Sequence, residues 1–137
     1  MKVIVCLDDR LGMTFGGRRQ SRDRVLCEDI VNDLEIGHRL LMCEYSKLLF
    51  EHNTDRILVC DEFLDLAEMG DVCFVENKAL KPYIDKIDGL VIYHWNRHYP
   101  SDTGFDIDLE AEGFRLFQSF EFEGSSHEKI TKEIYVR

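Results

Sequence analysis

The sequence predicts an α/β domain with a mostly parallel central sheet, flanked by helices and closed by an antiparallel C-terminal hairpin. Short, continuous apolar runs occur at KVIVCL (2–7), RLLMC (39–43), RILVC (56–60), DVCFV (71–75) and LVIYHW (90–95). Runs of that length and character are strands buried on both faces. Stretches with helical spacing or helix-boundary residues lie between them, the alternation expected of βαβ units. Near the end, FRLFQSFEFE (114–123) and KEIYVR (132–137) alternate apolar and polar residues, as half-exposed antiparallel strands do.

The elements follow in order. The first strand stops at Asp8 and Asp9, and the glycine-rich stretch RLGMTFGGRRQ (10–20) reads as a loop. Ser21 is a suitable N-cap with Asp23 in the first turn, and Leu26, Cys27, Ile30, Val31 and Leu34 follow at helical spacing. This predicts an amphipathic helix over roughly 22–35, stopped near Gly37. SKLLFEH (46–52) and EFLDLAEMG (62–70) suggest short helices after the second and third strands, the latter ending at Gly70. KALKPYIDKID (78–88) is a further short helix, in which Pro82 marks either a kink or the true start.

The 137 residues suit one domain spanning 1–137, and 45% hydrophobic residues suffice for a core. The net charge of −10 argues against binding duplex nucleic acid through the overall field, so an anionic ligand needs a local basic site. The five cysteines are odd in number and form no CxxC pair. They read as small core residues in a reducing compartment, which points to the cytoplasm. No apolar run is long enough for a signal peptide or a membrane span.

Arg10, Arg18, Arg19, Arg22 and Arg24 crowd a Gly-Gly loop that leads into a helix N-terminus. Free N–H groups, the helix dipole and guanidinium forks all favour a phosphate or carboxylate there. The competing reading is that these arginines pair with some of the chain's 27 acidic residues and anchor the loop. His94, His98 and Asp102 recur at intervals of four, but across a strand and its exit loop, so convergence on a metal is not expected.

LVIYHWNRHYPSDTGFDID (90–108) resembles the strand and following loop of dihydrofolate reductases. His94, Asp102, Thr103 and Phe105 match that family's pattern, while Tyr93, Ser101 and Asp106 stand where it has threonine, glycine and proline. VIVCLDDRLGMTFGG, RLLMCEYS, KALKPYIDKIDGL and the C-terminal FEFEGSSHEKITKEIYVR, with Ser126 and His127, also resemble family segments. The resemblance implies a dihydrofolate-reductase-like fold. It also implies that the NADPH half is dismantled. Glu44 stands where the family has a phosphate-binding arginine, Glu76 and Asn77 replace the Gly-Gly beside the pyrophosphate, and the stretch from Ser46 to Arg56 is short. No cofactor is therefore expected. The chain's opening also resembles short bacterial proteins labelled ribonuclease Z, but none of its five histidines stands in the HxHxDH zinc motif of that family.

Several functions follow from these residues. The leading one is a binding or regulatory protein that holds an anionic small molecule at the 10–24 loop through Arg18, Arg19 and Arg22, with Asp23 as a pocket wall. A reductase on an altered cofactor would use Asp23 as proton donor and needs an open cleft between the first helix and the His94 strand. On helical phase Asp23 is preferred to Glu28 or Asp29 for that role, although a gapless count lands on Cys27. Asp23 is also explained simply as a residue favoured at a helix N-terminus. A hydrolase or ribonuclease would bring His94, His98 and Arg97 together. A structural or subunit-forming protein, for which a homo-oligomer is a natural state, would have its cleft plugged by Tyr93.

Overall fold

A computed structural model describes residues 1–50 and 55–137. Its main sheet contains seven of the ten described strands. These are β1 (Lys2–Leu7), β4 (Leu40–Met42), β5 (Ile57–Val59), β6 (Val72–Phe74), β7 (Gly89–His94), β9 (Arg115–Phe122) and β10 (Ile130–Val136). They lie in the order β5-β4-β6-β1-β7-β10-β9. The first five in that order run parallel, and β10 then pairs antiparallel with both β7 and β9. The expected α/β architecture with an antiparallel C-terminal end is thus present.

The central position of β1 follows from its side chains. Val3, Val5 and Leu7 enter one layer, with Leu41, Cys73, Ile92, Phe63 and Leu80. Ile4 and Cys6 enter the other, with Met42, Phe74, Val91, Tyr93 and the apolar stripe Leu26, Cys27 and Ile30. A strand apolar on both faces is stable only where both faces are covered. The helix that covers the second face is α1 (Arg24–Asn32). The short helices α2 (Glu44–Lys47) and α3 (Phe63–Leu66) and a 3-10 turn at Lys81–Lys86 complete the chain. Pro82 marks the start of that turn, where no N–H is needed. His52, placed in the SKLLFEH helix, lies outside the described residues.

Three local expectations change. The 10–20 segment is not simply a loop. Gly12–Phe15 (β2) and Arg18–Arg19 (β3) form a hairpin, joined on the other side by β8 (Thr103–Gly104). Gly16 and Gly17 take φ of +59° and +75°, the conformation that a two-residue hairpin turn demands and that glycine adopts at no steric cost. The helix N-cap is Asp23 and not Ser21. Asp23 has extended backbone and its side chain accepts from the Leu26 N–H at 3.2 Å. Cys60 is half-exposed and donates to Glu62, so it is no core residue.

Candidate functional site

The N-terminus of α1 carries the densest polar network. Asp23 is buried, and its carboxylate accepts from the backbone N–H groups of Leu26, Ser125 and Ser126 at 3.2, 3.0 and 2.9 Å. It also takes the Nδ1 of His127 at 2.9 Å. Burial by itself would raise the carboxyl's pKa. The bonds from His127 and the three N–H groups outweigh it and hold the group well below the usual value of 3.8. A carboxyl held ionised in this way is poorly suited to giving up a proton at neutral pH. Its position is that of a cap.

The far side of the His127 ring is also occupied. Nε2 lies 3.0 Å from Ser21 Oγ and 3.1 Å from the Tyr99 hydroxyl, and the ring stacks on Trp95 at 4.6 Å between centroids. Asp8 anchors the adjoining hairpin from beneath. It accepts from the N–H groups of Gly12, Arg10 and Tyr99 and from Gln20, and these bonds overcome burial to keep its pKa low.

The arginines of the 10–24 segment do not converge. Arg19 forms a two-pronged pair with Glu76 at 2.8 and 3.0 Å, donates to the Tyr45 carbonyl and lies over the Tyr45 ring at 4.0 Å. Ser46 adds a third bond to the same carboxylate at 2.8 Å. Arg19 is therefore committed to an internal anion, as the loop-anchoring reading required, and Glu76 meets a cation that sequence inspection assigned elsewhere. Arg18 is exposed on β3, and Arg22 is exposed ahead of α1.

Alanine at Arg19 should cost about 1–3 kcal/mol, because it strands a carboxylate whose side chain is only 8% exposed. Alanine at Arg18 should change stability by less than about 0.5 kcal/mol. Urea midpoints of the two variants check this, and equal losses would contradict the pairing.

Tyr93 is buried beneath α1 and donates to Asp29 at 2.6 Å. Lys132, also buried, donates to Asp29 and Asp33 at 2.8 and 2.9 Å, tying α1 to β10. Between the sheet and α1 at this point lies a pocket of only about 30 Å³. The open cleft required of a reductase is not found there. His94 bonds to Glu133 across the sheet, whereas Arg97 and His98 are exposed and no described hydrogen bond joins them to His94. Among the described residues no group of three or more His, Cys, Asp or Glu is arranged to hold a metal ion.

A cavity of about 490 Å³ instead runs along the Cys27–Val31 side of α1. Arg22, Asp23, Arg24, Glu28, Asn32, Ser125 and Ser126 supply its polar lining, and Cys27, Val31, Leu49 and Phe50 its apolar wall. Arg24 is held by Glu28 at 2.8 Å, while no ion pair involves Arg22 among the described residues. Burial, with Glu76 and Asp23 nearby, pushes the Cys27 thiol up to about 12, so it faces the cavity as a neutral group. Of the residues singled out from sequence, Arg22, Asp23, Arg24, Cys27 and Glu28 line this cavity; Arg18, Arg19, Tyr93, His94 and His98 do not. The pairings of His127, Glu76 and Lys132 have no local signal, because the partners lie 104, 57 and 103 residues away.

No family model and no curated protein matches the chain. Among solved structures it is similar to a dihydrofolate reductase from Enterococcus faecalis complexed with NADP(H) and RAB-propyl. The TM-score is 0.68 at 14% identity, over 99% of this chain and 95% of the other. Nothing in these comparisons supports the ribonuclease Z resemblance. No helix among the described residues is long and apolar enough to cross a membrane. Sheet order, helix placement and this similarity together establish that the chain has a dihydrofolate-reductase-like fold.

Proposed function

We propose that the chain binds a small molecule with an apolar body and an anionic group in the cavity along α1, with Arg22 as the anion's partner. The observation that carries this reading is the roughly 490 Å³ cavity, which pairs an apolar wall with an arginine that has no described carboxylate partner. A volume of that order suits a small ligand. Of the three arginines expected to hold the anion, this reading keeps Arg22 and releases Arg18 and Arg19, and Asp23 keeps the part of a wall.

Use of NADPH in the manner of a dihydrofolate reductase is disfavoured. Where that family leaves bare backbone, the Glu76 carboxylate is held by the Arg19 guanidinium and the Ser46 hydroxyl, and Glu44 is exposed in the first turn of α2. A reductase with an altered cofactor remains the second reading because the fold is shared with an NADP(H)-bound enzyme.

Thermal-shift titrations with phenyl phosphate, benzoate and NADPH test the proposal. A ligand at a hundred times its Kd adds about 2.7 kcal/mol of stability. Phenyl phosphate or benzoate should raise the melting temperature of the parent and not of Arg22→Ala, and NADPH should leave both unchanged. A shift with NADPH would favour the reductase, and no shift with either aromatic anion would remove the cavity reading.

A further inference from the structure

We propose that Ser21 is an activated nucleophile, and that Ser21, His127 and Asp23 form a hydroxyl–imidazole–carboxylate relay able to take an acyl group from an ester. Ser21 Oγ is 3.0 Å from His127 Nε2, and His127 Nδ1 is 2.9 Å from Asp23 Oδ2. Such a constellation is recognised by geometry and roles and not by fold or sequence order. The roles follow from the neighbours. Asp23 already accepts three backbone N–H groups and has only lone pairs to offer, so the Nδ1 carries the proton that bonds to it. Nε2 is then left with its lone pair toward Ser21 Oγ. The Tyr99 hydroxyl, 3.4 Å from Ser21 Oγ, can donate to that oxygen while Ser21 donates to Nε2. Trp95 fixes the plane of the ring by stacking on it.

Pinning the C-terminal hairpin to α1 needs only Asp23, the two backbone N–H groups of Ser125 and Ser126, and the Nδ1 side of His127. It gives no reason for a serine hydroxyl to sit on Nε2. The relay also has an inside and an outside. Asp23 and His127 are buried, while Ser21 and Tyr99 are half-buried. Arg22 and Asp23, the two residues after Ser21, line the cavity, as does Ser126.

In the step, Ser21 Oγ bonds to the ester carbonyl carbon and its proton passes to Nε2. The carbonyl then re-forms, the ester C–O bond breaks, and the alcohol leaves with the proton from Nε2, giving acyl-Ser21. Water repeats the sequence, releasing the carboxylic acid and restoring Ser21. No other reactant is required, and the relay does not depend on the anion-binding reading.

The test exposes the folded full chain to a fluorophosphonate probe and maps the labelled peptide by mass spectrometry, with p-nitrophenyl acetate as a second probe. The expected result is phosphonylation of Ser21 and a nitrophenolate burst, both lost in Ser21→Ala with an unchanged melting temperature. His127→Gln, which keeps a donor toward Asp23, should lower the labelling rate by about a hundredfold, its fold checked by circular dichroism. A folded parent left unlabelled at Ser21, or labelling of Ser21→Ala at the parent's rate, would overturn the proposal. Because the parent map decides the matter alone, an unfolded His127→Gln protein would not obscure it.

Discussion

Replacing Asp23 with alanine is expected to lower the free energy of unfolding by about 3–5 kcal/mol, the cost of removing one partner from a buried charged network. The cap bond to Leu26 contributes on the order of 1 kcal/mol of this. The larger share comes from what is left behind: the Ser125 and Ser126 N–H groups and the His127 Nδ1, partnered by one carboxylate whose side chain is fully buried. Asp23→Asn should fall between parent and alanine, because the amide keeps an acceptor but turns its NH₂ toward groups that are themselves donors. Urea denaturation at neutral pH measures both, and a loss below about 1 kcal/mol in the alanine variant would refute the assignment of Asp23 as a structural cap.

The pH dependence has a definite sign. The folded carboxyl titrates below its usual value of 3.8, so the unfolded chain binds the proton more readily. The contribution is complete above that value and is lost as pH falls through the folded one. Asp8 and Asp71 are lowered too, the latter first by its bond from Arg39, and they act in the same direction. Stability arising from these groups should stay level down to about pH 4 and fall below it, less steeply in Asp23→Asn.

Much of the fold is legible because burial writes a local pattern. The apolar runs of β1, β6 and β7 could not tolerate an exposed face, and β10 has the partly covered face that its alternation predicts. β9 pairs antiparallel as expected, but it is exposed on both faces, with Leu116, Phe117 and Phe120 uncovered, so its alternation does not mark a buried face. The β2–β3 hairpin was missed because the main indications of it are two glycines between strands of four and two residues. The site was less legible, for a different reason. Asp23 was visible as a carboxylate at a helix start, but whether it caps, donates a proton or lines a pocket depends on His127, Ser125 and Ser126, which only the closed hairpin brings to it. Arg19 and Glu76 were each noticed, one as an anion-binding group and the other as an obstacle to phosphate. The loop-anchoring reading gives Arg19 an acidic partner but cannot name Glu76, since nothing in the sequence says that β3 and the exit of β6 meet.

Tyr93→Ala should also destabilise by about 3–5 kcal/mol, the cost of emptying a large buried site. The ring is 1% exposed, meets Phe122 edge-on at 6.3 Å between centroids and lies 5.6 Å from the Lys132 ammonium. Tyr93→Phe separates the hydroxyl from the ring. It removes the bond to Asp29 but leaves that carboxylate with Lys132 at 2.8 Å, so its cost should be nearer 1 kcal/mol. The difference between the variants then reports the space the ring fills.

That space bears on function, since it lies between α1 and the His94 strand, where a reductase would need an open cleft and the parent has a pocket of about 30 Å³. If the ring is what closes it, p-cresol should bind Tyr93→Ala and raise its melting temperature while leaving the parent unaffected, because a buried apolar cavity binds a ligand that replaces the deleted atoms. A Tyr93→Ala protein nearly as stable as the parent and indifferent to p-cresol would mean that the sheet and α1 can separate there at little cost, and the absence of a reductase cleft would lose its physical basis.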